Sequence, residues 1–159
     1  MMGLAPDGGL FVPERIPQAD MAVAERLAAE SYPALAGYLA GLFFDGDFDP
    51  QAVQRGLDGL YDFPVPLRVV GRGRYTLELF HGPTCAFQDF GAGFMGRMTG
   101  LLGAADEKLV ILTATSGDTG SAVAHGFHNV PGVEVVVLYP EGKISRLQEC
   151  QMTALGGNI

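Results

Sequence analysis

A chain of 159 residues, 48% hydrophobic and 18% charged, holds enough apolar material for one folded domain and is excluded from the disordered class. Its net charge of −8 argues against nucleic acid or an acidic membrane surface as a partner, since both call for basic patches. No apolar run approaches the roughly 20 residues of a membrane span, and no basic-then-apolar leader opens the sequence.

Residues 1–20 are rich in Pro, Gly and Asp and read as irregular. Within them, Leu10-Phe11-Val12 is expected to form a brief strand stopped by Pro13. The spacing of Met21, Ala24, Leu27 and Ala28 predicts a helix from Asp20 to Glu30, with Asp20 as its cap. A second helix is expected near Tyr32–Leu42, admitted by Pro33 in its first turn, and a third from Pro50 to Leu60. The run Phe63-Pro-Val-Pro66 then breaks the helical pattern.

From Leu67 the pattern changes. Leu67–Val70 and Tyr75–Phe80 read as strands around the turn Gly71-Arg-Gly-Arg74. Ala86–Gly103 reads as a helix with Phe87, Phe90, Phe94, Met98 and Leu101 along one face. Strands are expected at Lys108–Thr113 and Val133–Tyr139, and helices at Thr119–Asn129 and Ser145–Leu155. Gly156-Gly-Asn-Ile159 looks like the approach to a further strand. Alternation of this kind implies a parallel sheet with right-handed crossovers. The expected architecture is therefore an incomplete three-layer α/β unit over residues 71–159, behind a mostly helical region over 1–70. A chain ending where a strand is due reads as the N-terminal piece of a longer protein.

The turn Ser116-Gly117-Asp118-Thr119-Gly120 follows the apolar strand Val110-Ile-Leu112 and opens a helix. Free N–H groups at a helix start, at the positive end of its dipole, attract an anion. The alternative is a glycine turn in which Asp118 merely caps the helix. A dinucleotide fold is disfavoured because the G-x-G-x-x-G spacing is missing.

Three blocks, LELFHGPTCAFQDFG, TATSGDTGSAVAHGF and LYPEGKISRLQECQMTALGGNI, together with the opening PDGGLFVPE, resemble consecutive segments of the threonine synthase family. The resemblance runs in order over nearly the whole chain. It implies the pyridoxal-phosphate fold of the tryptophan-synthase-β type and, as parent reaction, conversion of O-phospho-L-homoserine and water to L-threonine and phosphate. By the same resemblance Ser116–Gly120 holds the substrate's α-carboxylate through backbone N–H and hydroxyl groups. The Asp118 carboxylate is then expected at the helix start or the pyridine ring edge, since pointing into the loop it would repel the substrate. Thr84 and Lys143 join the implied substrate and cofactor site. Thr84 also reads as a simple helix cap, and Lys143 as a solvated lysine.

One departure bears on everything else. In the family motif the residue between Phe87 and Asp89 is the lysine that forms a Schiff base with pyridoxal 5'-phosphate; here it is Gln88. An amide forms no aldimine and has no basic nitrogen. Its origin is open between a one-base codon change (engineered or spontaneous), a sequencing error and a genuine pseudoenzyme. The family's later glycine-rich loop for the cofactor phosphate lies beyond Ile159. The chain itself is accordingly expected to be inactive, with a non-catalytic small-metabolite binding or interaction module as the alternative. Arg146 stands where the family usually has proline, and Cys150 where it has a polar or charged residue. Cys85 reads as a small hydrophobe and His81 as structural rather than proton-transferring. Both cysteines lack metal-ligand spacing and are expected as reduced thiols in the cytoplasm; no metal is expected, and the sequence sets no oligomeric state.

Overall fold

The computed structural model describes residues 5–103 and 108–159; the expected irregular start at residues 1–4 lies outside it. Three short helices come first: α1 (Met21–Glu30), α2 (Tyr32–Phe43) and α3 (Pro50–Leu57). Each begins where a side-chain oxygen takes up otherwise orphaned N–H groups. Asp20 Oδ1 accepts from Ala22 N (2.9 Å), Ser31 Oγ from Ala34 N (3.1 Å), and Asp49 Oδ2 from Ala52 N (3.1 Å). Pro33 and Pro50 sit in first turns, where no intrahelical donor is lost. α3 ends at Leu57 rather than Leu60, because Asp58 turns extended and Gly59 adopts a left-handed φ of 68°.

The hairpin β1 (Leu67–Gly71) and β2 (Arg74–Leu77) pairs antiparallel with Leu67 opposite Leu77. After it come α4 (Gln88–Leu102), β3 (Leu109–Ala114), α5 (Asp118–Phe127), β4 (Val133–Leu138) and α6 (Arg146–Thr153). β3 and β4 lie parallel and in register from Leu109–Val133 to Ala114–Leu138, joined through α5. This is a small parallel sheet with flanking helices, an incomplete α/β unit. Beyond α6 the chain returns to β4, where Val135 N–H donates to the Asn158 carbonyl at 2.8 Å. The Asn158 side chain stitches that return in place. Its amide donates to Phe127 O (2.9 Å) and Val133 O (3.0 Å), while its oxygen accepts from Asn129 N (2.7 Å).

Two apolar clusters hold these elements. Val53, Leu57 and Met98 are buried together with Phe94 and Leu101 packed against them, so α3 is seated directly on α4. Phe127, Val133 and Val135 form the second cluster, between α5 and the sheet. Beside the first, Phe90 stacks on Tyr61 with ring centroids 5.5 Å apart, and the Tyr61 hydroxyl donates to Phe90 O at 3.1 Å. Burial, then the neighbouring Tyr32, push the Tyr61 phenol up to about 12.

Two expectations are corrected here. Leu10-Phe11-Val12 is not a strand: none of the described residues pairs with it, its side chains are exposed, and an isolated extended run has no ladder to stabilise it. The apolar face read along α4 is also incomplete, since Phe87 is exposed. Glycine lets that helix pack closely against its neighbour. A Cβ on Gly96 would strike the Gly126 carbonyl oxygen, and one on Gly126 would lie 2.5 Å from Ala92 O. α4 and α5 therefore meet backbone to backbone. No helix among the described residues is long and apolar enough to cross a membrane.

Candidate functional site

The turn from β3 into α5 is built around Thr115, a residue that motif reading passed over. Its N–H donates to Leu138 O (2.9 Å), pinning the turn to the end of β4. Its hydroxyl oxygen accepts from both Gly117 N and Gly120 N, each at 3.0 Å. Two of the loop's N–H groups are thus used internally. The first helical bond of α5 then runs from Ser121 N–H to Gly117 O at 3.1 Å. Asp118 N–H and Thr119 N–H, at the helix start, have no intrahelical acceptor, and these two are left to meet an anion. Gly117, with φ 150° and ψ −92°, occupies a conformation that a side chain rarely adopts. Gly120 is equally required, since a Cβ there would run into Thr115 Cγ2 and approach Met152 Sδ to 3.0 Å.

Asp118 does not cap α5, which has no side-chain cap. Its Oδ1 instead accepts from Gln148 Nε2 of α6 at 2.8 Å. The carboxylate is turned onto the neighbouring helix rather than toward its own. Ser116 and Thr119 are exposed on the loop.

Thr119 opens onto a cavity of about 580 Å³ whose walls include Gln88, Tyr32, Leu79, Phe87 and Met95. Residue 88 and the start of α5 are thereby brought to one place, under an apolar lining. Gln88 is the first residue of α4, and its Oε1 is buried without a hydrogen-bond partner. Beside it, Asp89 is buried and fully engaged by the preceding turn: Oδ1 accepts from the Thr84 hydroxyl (2.6 Å) and Oδ2 from Thr84 N–H (3.0 Å). Thr84 therefore does not cap α4; it ties the Gly82–Thr84 turn to the helix and lies outside the wall of the Gln88 cavity.

Other expected residues fall elsewhere. Lys143 is exposed in the turn closed by its N–H to Pro140 O (3.1 Å) and does not line the cavity. His81 pairs with Glu78 at 2.8 Å. Cys85 is not a packed small hydrophobe: it is exposed, at a left-handed φ of 58°, in the turn before α4, and Cys150 is also exposed and unpaired. Among the described residues no group of three or more His, Cys, Asp or Glu converges as a metal site.

Behind the loop, His125 of α5 shares two small cavities with Arg97, one of them also lined by Asp89 and the other by His128. Burial lowers its pKa, opposed by the Asp89 carboxylate and assisted by His128. The unfolded chain then binds more protons between the folded pKa and about 6.5, the ordinary value for histidine. Stability is expected to rise with pH through that window and to be lost as pH falls below about 6.5. Denaturant midpoints taken from about pH 5 to about pH 8 should show this slope, and His125→Gln should flatten it. An unchanged slope in the variant would assign the dependence to another group.

The molecule is thus a parallel-sheet α/β unit with an anion-ready strand-to-helix turn facing residue 88 across an apolar cavity. A family model described as threonine synthase N terminus matches residues 1–61. Threonine synthase of Haemophilus influenzae is 45% identical over 157 residues, covering 99% of this chain and 36% of the relative. That of Escherichia coli is 41% identical over 157 residues, with the same coverage. Its crystal structure superposes with a TM-score of 0.83, covering 99% of this chain and 36% of that one. The crystal structure of PLP-bound threonine synthase from Brucella melitensis superposes with a TM-score of 0.85 at 34% identity, covering 94% of this chain and 34% of that one. Along nearly its whole length the chain is similar to part of these threonine synthases, and its first 61 residues match the N-terminal family model. It spans about a third of the length of the curated relatives it matches.

Proposed function

We propose that this chain forms one wall of a threonine synthase active site and, as written, does not complete the reaction. The reaction of this reading is a carbon–oxygen lyase step at a phosphate: O-phospho-L-homoserine and water give L-threonine and inorganic phosphate. Residues 71–159 carry the site and the helical region 1–70 backs it. The N–H groups of Asp118 and Thr119, with the hydroxyls of Ser116 and Thr119, receive the substrate carboxylate. Thr115 holds the loop in the shape that presents them. What carries the reading is the cavity that sets residue 88 against the start of α5. Two exposed, unpaired cysteines support a reducing, cytoplasmic compartment. The partner is a small molecule, with neither nucleic acid nor membrane involved.

Pyridoxal 5'-phosphate, when bound, supplies an electron sink for carbanions. The residues present do not fit its covalent attachment. Gln88 offers an amide in place of an amine, with its carbonyl oxygen buried and unpartnered. The same observation favours a second reading, a non-catalytic module that holds a small metabolite on this fold.

Incubation with pyridoxal 5'-phosphate, borohydride reduction and mass spectrometry tests the first half of this reading. No phosphopyridoxyl group is expected on residue 88, while scattered labelling of surface lysines is neutral. A stable adduct on Gln88 itself would overturn it.

A further inference from the structure

Resting on the reading that the Ser116–Gly120 loop takes a ligand carboxylate, we infer that Gln148 is a positioning residue for it. Its side-chain amide holds the Asp118 carboxylate away from the start of α5, so that the loop's N–H groups face the ligand and not a neighbouring side chain. Asp118 is the first residue of α5, where unpaired N–H groups and the helix dipole attract any carboxylate within reach. Its own is the nearest one.

Three observations fix the amide in this role. The orientation of Gln148 is set by its other end, where Oε1 accepts from Ser145 N–H (3.2 Å) and from the Ser145 hydroxyl (3.0 Å). A backbone N–H only donates, so the oxygen must face Ser145 and the NH₂ group must face Asp118. Its bond to Asp118 Oδ1 is 2.8 Å. Gly117 makes room for it, because a Cβ at that position would strike the Gln148 amide, whose Cδ would lie 2.7 Å away. α6 is itself seated against the loop, with Met152 buried and close to the position a Gly120 side chain would need. The loop held in this way belongs to a built cavity, which Thr119 shares with Gln88 and its buried, unpartnered oxygen. One glutamine, 30 residues along the chain, thus completes the capping box of its own helix and restrains a charge on another.

A double-mutant cycle on the full chain, read by NMR, tests the inference. The probe is O-phospho-L-homoserine, and its dissociation constant is read from the shift of the Thr119 backbone N–H resonance. Gln148→Ala is expected to weaken binding about tenfold, the size of one unshielded like charge at the site. Asp118→Asn leaves in place the backbone N–H that the reading uses and alters only the restrained carboxylate, so alone it should shift binding less than Gln148→Ala does. In the Gln148→Ala background the same Asp118→Asn change should restore binding about tenfold. A glutamine that merely supported the fold would give additive effects, and additivity would overturn the inference. A ligand-free measurement separates this from the reading beneath it: the Gln148 side-chain amide resonance should move on Asp118→Ala, and an indifferent resonance also overturns the inference. If that resonance moves while the probe leaves Thr119 unshifted in the unsubstituted chain, the restraint stands and the carboxylate reading of the loop falls.

Discussion

Joined ahead of the C-terminal two thirds of Escherichia coli threonine synthase, this chain carrying Gln88→Lys is expected to release phosphate from O-phospho-L-homoserine. The same chimaera with Gln88 should be slower by at least about 10²–10⁴-fold, the usual loss for a missing general acid–base group, before the missing attachment point is added. The 41% identity and TM-score of 0.83 between the matched portions support the junction. Lysine at residue 88 would enter the apolar cavity beside Thr119, where low polarity favours an uncharged, nucleophilic amine. The 159-residue chain with Gln88→Lys but nothing joined to it should stay inactive, because no group in it is assigned to the cofactor phosphate. A reacting group misplaced by about 1 Å already costs about 10²-fold. Appreciable turnover by that short variant would show that the remaining groups are dispensable. A chimaera that forms a borohydride-trappable adduct at residue 88 yet releases no phosphate would remove the proposed activity and favour the binding module.

What could be read from the sequence was whatever is local. Asp20 and the prolines at 33 and 50 mark helix starts because their effect reaches only two or three residues along the chain. The βαβ alternation from Leu109 to Leu138 is written in apolar runs that the parallel pairing then uses in register. The site was only half legible. Gly117 and Gly120 announce a turn, but which of its N–H groups remain open depends on Thr115, whose hydroxyl reaches them only once Gly117 has adopted its unusual backbone angles. Gln148 reads as one more polar residue near a helix start; nothing local joins it to Asp118. Thr84 reads as a helix cap, and it takes the folded turn to show that it and Asp89, five residues on, satisfy one another. The strand expected at Leu10–Val12 failed for the converse reason, since a strand needs a partner and composition does not supply one.

The same limit hides the contact on which the site geometry depends, and there the expected effect on stability is largest. Gly126→Ala should destabilise the protein by about 1–3 kcal/mol or more, although alanine is the better helix former by about 1 kcal/mol. The new Cβ would lie 2.5 Å from Ala92 O and 2.8 Å from Gly93 N. These are backbone atoms inside α4 and cannot swing aside as a side-chain end would, so the two helices must part. Gly96→Ala meets the Gly126 carbonyl across the same seam and should cost a similar amount. Once the helices have separated the second substitution meets less resistance, so the double variant should fall short of the sum. Gly91→Ala is the internal control: it lies in the same helix, is exposed, and a Cβ there meets nothing within 4 Å, so it should stabilise by up to about 1 kcal/mol. Urea midpoints at constant m-value measure all four variants. Because Gln88 begins α4, Thr119 lies in the first turn of α5, and the two share one cavity, parting the seam should also loosen probe binding at the Thr119 N–H. If Gly126→Ala proved as benign as Gly91→Ala, the backbone contact would not be what holds α4 against α5, and some other packing would have to set residue 88 opposite the loop.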